Sequence, residues 1–387
     1  MDRTIKTQEQ FNRLLNEALG GDRLAQGMLK EAITTSDLPT FYRRVANAEL
    51  ENQYPEVQPV WEEFASRVDL NDFRPTNFYE LVSDSSMLQR ENGGITMPDG
   101  ALPRVPELTP YPTFQYKQSE KFVRTAKHGA RLQWSFEAFI NDEWDQIAAL
   151  PAEATLLARN TEDILATLML VTSSGVNSTN FNEQNDNVLK AADPIVGDVT
   201  GIGTSVPANA PLSQDALFAA LAQAKAQKDG LRGNPVVVNQ FVLVVPPGLT
   251  NYANLLVNAT QYEQVVDGRT YTVTNSLPAS VRVVENPWIT SINTSPEAAG
   301  FWFLLPDRGR TANGRRTIVE TFLRGRDTPE LRYHANQGVY LGGGDVPYTE
   351  GSFDNDDAEI RLRHIVGSGF LNPGGTIASN GSGQATP

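Results

Sequence analysis

The sequence predicts an α+β fold, and three patterns support that prediction. Apolar residues near the N-terminus recur at helical spacing in several short segments. Residues 151–175 keep apolar side chains on one side for about six helical turns. Between residues 213 and 305, helical patterns alternate with short β-branched and apolar runs, which is typical of helices packed on a sheet.

Four short helices are predicted before residue 68. The first covers residues 7–19 and begins with a capping box. The second and third begin near Asp22 and near Pro39, and the fourth lies between Pro59 and Val68. Together these helices lack the bulk of an independent core.

Residues 68–134, which we call the arm, carry eight aromatic residues but cannot build a core of their own. Prolines and glycines interrupt the arm, so no apolar stripe at helical spacing survives in it. Two strands are expected over residues 113–117 and 121–134, with a turn at His128–Gly129. We interpret the arm as an extended segment that packs on a neighbouring copy of the same protein.

Helices and strands alternate through the middle of the chain. Residues 136–150 have a helical pattern, and the long helix follows from Pro151 to Gly175. Residues 173–212 are polar and form a loop or a small hairpin. The next predicted elements are a helix from Ser213 to Gly230, a buried strand over Val236–Val245, a helix over 248–258, and strands over 270–274, 281–284 and 300–305.

Three more strands are predicted over residues 316–323, 330–340 and 358–366. They are expected to form a sheet beside the long helix. Beyond Val366 the sequence is rich in glycine and serine and has no charged residue. That composition predicts a tail that is flexible or lies on a neighbouring subunit.

Composition excludes several classes of protein. The formal net charge of −14 argues against non-specific nucleic-acid binding over the whole surface, whereas a container that encloses DNA would benefit from it. The absence of cysteine excludes disulfides, thiolate nucleophiles and Cys-ligated metals. We expect no membrane contact, because no apolar run approaches the length of a membrane span.

No catalytic, cofactor-binding or metal-binding motif is found in the sequence, so we expect a protein that is not an enzyme and needs no cofactor or metal. His128, His334 and His364 are far apart and are expected to be partly exposed sheet residues. Phe353–Glu359 is acidic but lacks the glycine and the final glutamate of a calcium loop. A hydrolase that uses residues 68–134 as a lid is an alternative, but it lacks a nucleophile and base.

One electrostatic pattern favours contacts between copies. The basic stretch, residues 117–131, has a single acid and five basic residues: Lys117, Lys121, Arg124, Lys127 and Arg131. The acidic segment, residues 345–359, has no base and six acids: Asp345, Glu350, Asp354, Asp356, Asp357 and Glu359. The two permit head-to-tail contacts between subunits. Ordinary exposed surface explains them equally well, and nucleic-acid binding by the basic stretch is a weaker third interpretation.

Four features follow one another in an order that is typical of one family. They are the N-terminal helices, the arm ending in FVRTAKHGARLQWS, the helix PAEATLLARNTEDILATLMLV, and a domain with the strand VVVNQFVLVVPP and the helix GLTNYANLL. The closing segment RRTIVETFLRGRDTPELRYHANQGVY then supplies strands. In this order the chain resembles a tailed-bacteriophage major capsid protein of the Hong Kong 97-type fold, and the resemblance covers nearly the whole chain.

The resemblance implies five regions. They are an N-terminal arm at 1–67, an extended loop at 68–134, a peripheral domain with the long helix at 135–204, an axial α+β domain at 205–310, and the return of the peripheral domain with a C-terminal tail at 311–387.

The resemblance also implies a structural role in the virion. Family members assemble into hexamers and pentamers of an icosahedral shell around double-stranded DNA, with assembly in the host cytoplasm. Scaffold, portal and decoration proteins are further expected partners. The alternative is an encapsulin-type compartment shell on the same fold, which encloses an enzyme in place of DNA.

Two properties of some relatives are not expected here. The helical N-terminus is short, so we expect no large segment that is cleaved on maturation. Some relatives form Lys–Asn cross-links with the help of a nearby glutamate. No motif assigns those roles to Lys117, Lys121, Asn355 or Glu359.

Overall fold

The computed structural model shows a mixed fold of helices and sheets, which confirms the predicted α+β class. It describes residues 50, 52–83, 107–108, 110–111, 114–135, 144–183, 189–191, 209–227, 236–266, 269–275, 277, 280–311, 316–334, 341–342, 357–372 and 374–382. The first three predicted helices, up to residue 49, lie outside these residues.

Helices and strands alternate along the described chain. The α-helices are α1 (Trp144–Leu168), α2 (Gln214–Ala226), α3 (Pro247–Asn258) and α4 (Trp288–Ile292), and 3-10 helices cover Val60–Glu63, Pro296–Gly300 and Asp307–Gly309. The strands are β1 (Ser66–Leu70), β2 (Thr76–Ser83), β3 (Phe114–Val123), β4 (Ala126–Ser135), β5 (Val171–Thr172), β6 (Gly175–Val176), β7 (Phe181–Glu183), β8 (Leu189–Ala191), β9 (Phe241–Val245), β10 (Gln261–Val266), β11 (Arg269–Thr274), β12 (Val281–Glu285), β13 (Trp302–Pro306), β14 (Ile318–Leu323), β15 (Glu330–Tyr333), β16 (Asp357–Phe370) and β17 (Ile377–Ser379). None of the helices described is long and apolar enough to cross a membrane.

The described residues fall into two compact units. The first unit contains those up to Val57 together with Lys127–Ala158 and Thr328–His364, and the second contains Gln58–Ala126, Arg159–Asp327 and those from Ile365 onward. The division of the chain into five regions stays a prediction.

A sheet forms the core of the second unit. Among the described residues its strand order is β12-β9-β13-β17-β8-β7. Every residue of β9 and β13 is buried, as expected for strands covered on both faces. Phe241, Leu243 and Val245 pack with α2 and α3, whereas Val242 and Val244 pack on the opposite side with Phe303. Successive residues of β9 therefore belong to two different apolar clusters.

Helix α3 confirms the prediction for residues 248–258, and α2 confirms the start predicted at Ser213 but ends at Ala226, before Gly230. Ser213 caps α2, because its Oγ accepts a hydrogen bond from the Ala216 backbone at 3.2 Å. Pro247 occupies the first turn of α3, where its missing N–H costs nothing. The strand predicted from Val236 begins only at Phe241, and the Val236 N–H bonds instead to the Gln227 carbonyl at 2.9 Å.

Helix α1 differs from its prediction at both ends. It begins at Trp144, so part of the segment 136–150 belongs to the same helix, and it ends at Leu168 rather than at Gly175. Two asparagine side chains explain the earlier end. Asn177 donates to the Leu168 carbonyl and Asn180 to the Met169 carbonyl, both at 2.8 Å. These bonds satisfy carbonyls that the helix leaves unpaired, and β5 and β6 form a small hairpin just beyond.

The helix predicted between Pro59 and Val68 is wrong beyond Glu63. The chain forms a 3-10 helix there and then enters β1, which pairs in parallel with β14. The Trp61 backbone N–H donates to Asp163 Oδ1, and its indole Nε1 donates to Glu162 Oε2, each at 2.9 Å. Local periodicity could not indicate this turn, because its partners lie 102 and 101 positions further along the chain.

Buried carboxyl groups lie beside this turn. Burial, with a smaller contribution from the charge of Glu162, raises the pKa of Asp163 to about 6. Burial also raises the pKa of Glu320, on β14, well above its ordinary value. The Arg159 guanidinium offsets part of this unfavourable charge, since its Nη1 lies 3.0 Å from Glu162 Oε2. Ionisation of Asp163 and Glu320 therefore lowers the stability of the folded subunit.

Replacing Asp163 by Asn should reduce the pH dependence of subunit stability. The raised pKa means that the folded state binds this proton more tightly than the unfolded chain does. The stabilisation is therefore present below about pH 4 and is lost as the pH rises to about 6. The rise from 3.8 to about 6 corresponds to about 3 kcal/mol.

Denaturant unfolding of the subunit between about pH 4 and pH 7 measures this loss. Asp163→Asn should remove about 3 kcal/mol of it. Asp72→Asn is the matched control, because Asp72 is exposed and an amide can still accept its hydrogen bond from the Arg74 backbone. An Asp163→Asn subunit with the wild-type pH dependence would contradict this explanation.

The prediction of a flexible tail is wrong for residues 367–382. Strand β16 continues to Phe370, which is buried, and β17 lies between β13 and β8 in the core sheet. Ile377 and Ala378 are fully buried. The glycines serve a tight turn rather than flexibility. Gly375 has a φ of +79°, and a Cβ there would lie 2.6 Å from Val238 Cγ2.

Candidate intersubunit interface

The arm contains a hairpin of two strands, β2 and β3, which among the described residues pair only with each other. They are antiparallel, with Thr76 opposite Val123 and Ser83 opposite Phe114. An eight-residue strand is about 26 Å long. A hairpin of two strands is marginally stable in water at best, so this one needs a packing partner.

The base of the hairpin is held in the second unit. Val123 is buried in a small cluster with Leu70 and Val319. Two glycines of β16 permit this close approach. A Cβ at Gly367 would lie 2.3 Å from the Arg124 carbonyl oxygen, and one at Gly369 would lie 2.2 Å from Val123 Cγ1. The hairpin is therefore fixed at its base by contacts that larger residues would block.

The rest of the arm enters the first unit, where β4 and β15 both pair with the first half of β16. Two strands are present as expected, but the break between them lies at residues 124–125 rather than at 118–120, and the turn expected at His128–Gly129 is wrong. Both residues belong to β4. A Cβ at Gly129 would lie 2.3 Å from the Leu362 carbonyl oxygen, so glycine is needed here for close strand contact.

The histidines are only partly as expected. His334 is exposed and His128 is half-buried, but His364 is buried and its ring contacts Tyr54, with the ring centres 5.9 Å apart. Among the residues that the structure describes, no group of three or more histidines, cysteines and acids could hold a metal ion.

The basic stretch is divided between the two units. Lys117 and Lys121 lie on β3, and Arg124 is exposed between β3 and β4; all three belong to the second unit. Lys127 and Arg131 are exposed on β4 in the first unit. Intersubunit contact by these five residues stays a prediction.

Two members of the acidic segment already have partners within the chain. Arg131 Nη1 lies 3.1 Å from Glu359 Oε1, and Gln133 donates to Asp357, both at the start of β16. The remaining acids, Asp345, Glu350, Asp354 and Asp356, lie outside the described residues, as does most of the acidic run that was considered as a calcium loop. A carboxylate from the acidic segment therefore binds the basic stretch in the folded subunit.

Sequence reasoning missed a basic cavity on the first unit. It has a volume of about 440 Å³ and is lined by residues 127–131 of β4 and 361–363 of β16. The available signal was the alternation of Arg361 and Arg363 around Leu362, since alternate residues of a strand share a face. Only the pairing of β4 with β16 shows that these arginines approach Lys127 and Arg131.

A family model for phage capsid proteins matches residues 118–379, about two thirds of the chain. The chain belongs to the phage capsid protein family. The resemblance to tailed-phage major capsid proteins is thereby confirmed, and this capsid protein is assigned to a family of structural proteins. The matched region includes most of β3, the long helix α1, the core sheet and β16.

Solved structures similar to this capsid protein come from several phages. A Mycobacterium phage Patience chain is 13% identical with a TM-score of 0.41, and the match covers 90% of this chain and 88% of that one. A chain from the capsid of Myoviridae phage XM1 is 10% identical with a TM-score of 0.39, covering 81% and 87%. Because these sequence identities and TM-scores are low, the assignment to the phage capsid protein family rests on the family model. No curated protein sequence matches this capsid protein.

Proposed function

We propose that this capsid protein self-assembles into hexamers and pentamers, which build an icosahedral shell around double-stranded DNA. The observation that carries the proposal is the β2–β3 hairpin, which pairs with no other strand in the described part of the chain. A neighbouring copy supplies the packing partner that such a hairpin needs. Membership of the phage capsid protein family supports the same role.

Assembly by this route depends on many weak contacts. Contacts between two different surfaces of the same chain close into rings when the rotation between copies is correct. The extended loop at 68–134 provides one such surface on a neighbour, while the basic stretch and the acidic segment provide opposite charges. Multivalency then converts weak pairwise contacts into a stable shell.

The net negative charge of the chain is compatible with a shell that encloses DNA. A net charge of −14 limits adhesion of packaged DNA to the shell, so the DNA is enclosed without sequence-specific binding. Scaffold, portal and decoration proteins complete the set of partners, and the protein assembles in the host cytoplasm before it resides in the virion.

Negative-stain electron microscopy of the purified protein tests the shell directly. We expect large icosahedral particles, and particles isolated from the infected host should protect double-stranded DNA from nuclease. A chain that stays monomeric under all assembly conditions contradicts the shell. Particles that hold an enzyme and no DNA would favour an encapsulin-type compartment.

A further inference from the structure

We propose that a basic face on the first unit binds the acids of residues 345–356 from a second copy of the chain. The basic face consists of Lys127 and Arg131 on β4 and Arg361 and Arg363 on β16, around the cavity of about 440 Å³. This contact rests on the proposed shell and names one pair of surfaces that join its subunits.

The alternation of β16 places both of its arginines on one side of the sheet. Arg361 is exposed and Arg363 is half-buried, whereas the residues between and beside them are buried: Ile360, Leu362 and His364. Alternate residues of a strand point to the same face. The accessible side of β16 is therefore cationic at this point.

The neighbouring strand completes the cavity. Lys127 and Arg131 are exposed on β4, with Gly129 midway between them. A Cβ at Gly129 would lie 2.3 Å from the Leu362 carbonyl oxygen, which only a glycine avoids. Gly129 therefore places no side chain between the two basic residues of β4, and the cavity that they line lies beside the backbone of β16.

The charges on this face are incompletely neutralised. Arg131 pairs with Glu359 at 3.1 Å, and Arg363 pairs with Glu330. Arg361 makes no ion pair with any residue that the structure describes, and it lies directly opposite Arg332, which pairs with Glu330, in the β15–β16 ladder. Like charges in directly opposed positions destabilise a sheet. An anion at Arg361 would relieve that repulsion.

The chemistry of the face favours a carboxylate. Glu359 already shows a carboxylate bound to Arg131, and a guanidinium can bind a carboxylate through two parallel hydrogen bonds. Residues 345–356 offer four acids and no base: Asp345, Glu350, Asp354 and Asp356. Charge complementarity between the two surfaces is therefore built into one chain.

The position of Asp357 favours acids from another copy. Asp357 accepts a hydrogen bond from Gln133 and lies four positions before Arg361, about 13 Å along the strand. Strand β16 is therefore already about 13 Å from Arg361 at its first described residue. A second copy supplies acids to the cavity without requiring the preceding residues of the same chain to span that distance.

Charge reversal on each surface tests the contact. The face variant is Lys127→Glu with Arg361→Glu, and the acid variant is Asp345→Lys, Glu350→Lys, Asp354→Lys and Asp356→Lys. Each should raise the protein concentration for half-maximal shell assembly by about tenfold or more. The face variant should unfold at the wild-type denaturant concentration, because Lys127 and Arg361 are exposed.

A mixture of the two variants should restore assembly in part, because the reversed charges of one complement those of the other wherever the two alternate around a ring. The matched control is Lys225→Glu with Arg324→Glu, which changes the net charge equally at exposed positions of the second unit. This control should assemble as the wild type does. A synthetic peptide of residues 345–356 should bind the wild-type subunit and bind the face variant about tenfold more weakly.

Results that differ from these expectations distinguish failure of the proposed contact from failure of the proposed shell. Variants that assemble as the wild type does would overturn the contact and leave the shell intact. A single chain with both sets of changes that assembles, while the mixture does not, would place the contact within one chain. A face variant that loses affinity for a DNA fragment, beside an acid variant that assembles normally, would make nucleic acid the partner. A wild-type chain that never forms shells would overturn the proposed shell, and peptide binding would still decide the contact.

Discussion

A chain that lacks residues 90–112, with a short glycine–serine linker in their place, is expected to fold but to assemble poorly. Leu108 and Tyr111, within the deleted stretch, are highly exposed and belong to none of the described apolar clusters. Strands β2 and β3 remain, and so does the anchor at Val123. The deletion therefore removes exposed residues of the proposed contact with a neighbour and no buried side chain that the structure describes.

The yield of particles and the stability of the subunit should respond differently to this deletion. Electron microscopy should show particles reduced by about tenfold or more, because the loss recurs at every subunit of a multivalent shell. Denaturant unfolding of the subunit should give a free energy close to that of the wild type. A deletion variant that forms normal, stable shells would show that the arm does not join subunits.

Truncation after Asn372 is expected to prevent the subunit from folding. The cut removes β17, including the fully buried Ile377, and leaves β13 and β8 without the strand between them. Burying one such side chain and pairing the neighbouring strands together contribute about 5 kcal/mol or more. That is comparable to the whole stability of many domains.

Two milder variants distinguish the loss of β17 from a general effect of shortening the chain. Ile377→Ala should cost about 2–5 kcal/mol in denaturant unfolding. Truncation after Ser382 retains every described residue and should leave the free energy of unfolding unchanged. A chain cut after Asn372 that stays monomeric and unfolds at the wild-type midpoint would show that β17 is dispensable.

Elements with local causes were predictable from the sequence. Helix α2 begins just after Ser213, because the Ser213 hydroxyl accepts a hydrogen bond from the Ala216 N–H in the first turn, and α3 begins where Pro247 suits a first turn. Strand β9 is an unbroken apolar run, which is typical of a central strand. In each case the residues that specify the element lie within it or beside it.

Elements with distant causes were not predictable in the same way. The end of α1 depends on side chains from Asn177 and Asn180, and the 3-10 helix at Trp61 depends on acids of α1. The glycines near Gly375 suggested flexibility, whereas their small size permits a buried turn. A sequence pattern shows which residues are present, but it does not show which distant segment of the chain packs beside them.

The candidate site shows the same division. The opposite charges of the basic stretch and the acidic segment were visible in the sequence. The bond between Arg131 and Glu359 was not, because it joins residues 228 positions apart through the pairing of β4 with β16. The cavity beside Gly129 also depends on that pairing. The pairing of β4 with β16 is what brings these charged residues together on one surface.

Because β17 lies within the core sheet, that sheet can be completed only late in translation. Strand β8 pairs with β17, and the two begin 188 positions apart, at Leu189 and Ile377. A ribosome that adds about 5–20 residues per second needs about 10–40 seconds to cover that distance. During this interval β8 lacks one of its two neighbouring strands, so an interrupted translation product cannot complete the sheet. We therefore expect that only chains translated through β17 become folded capsid subunits.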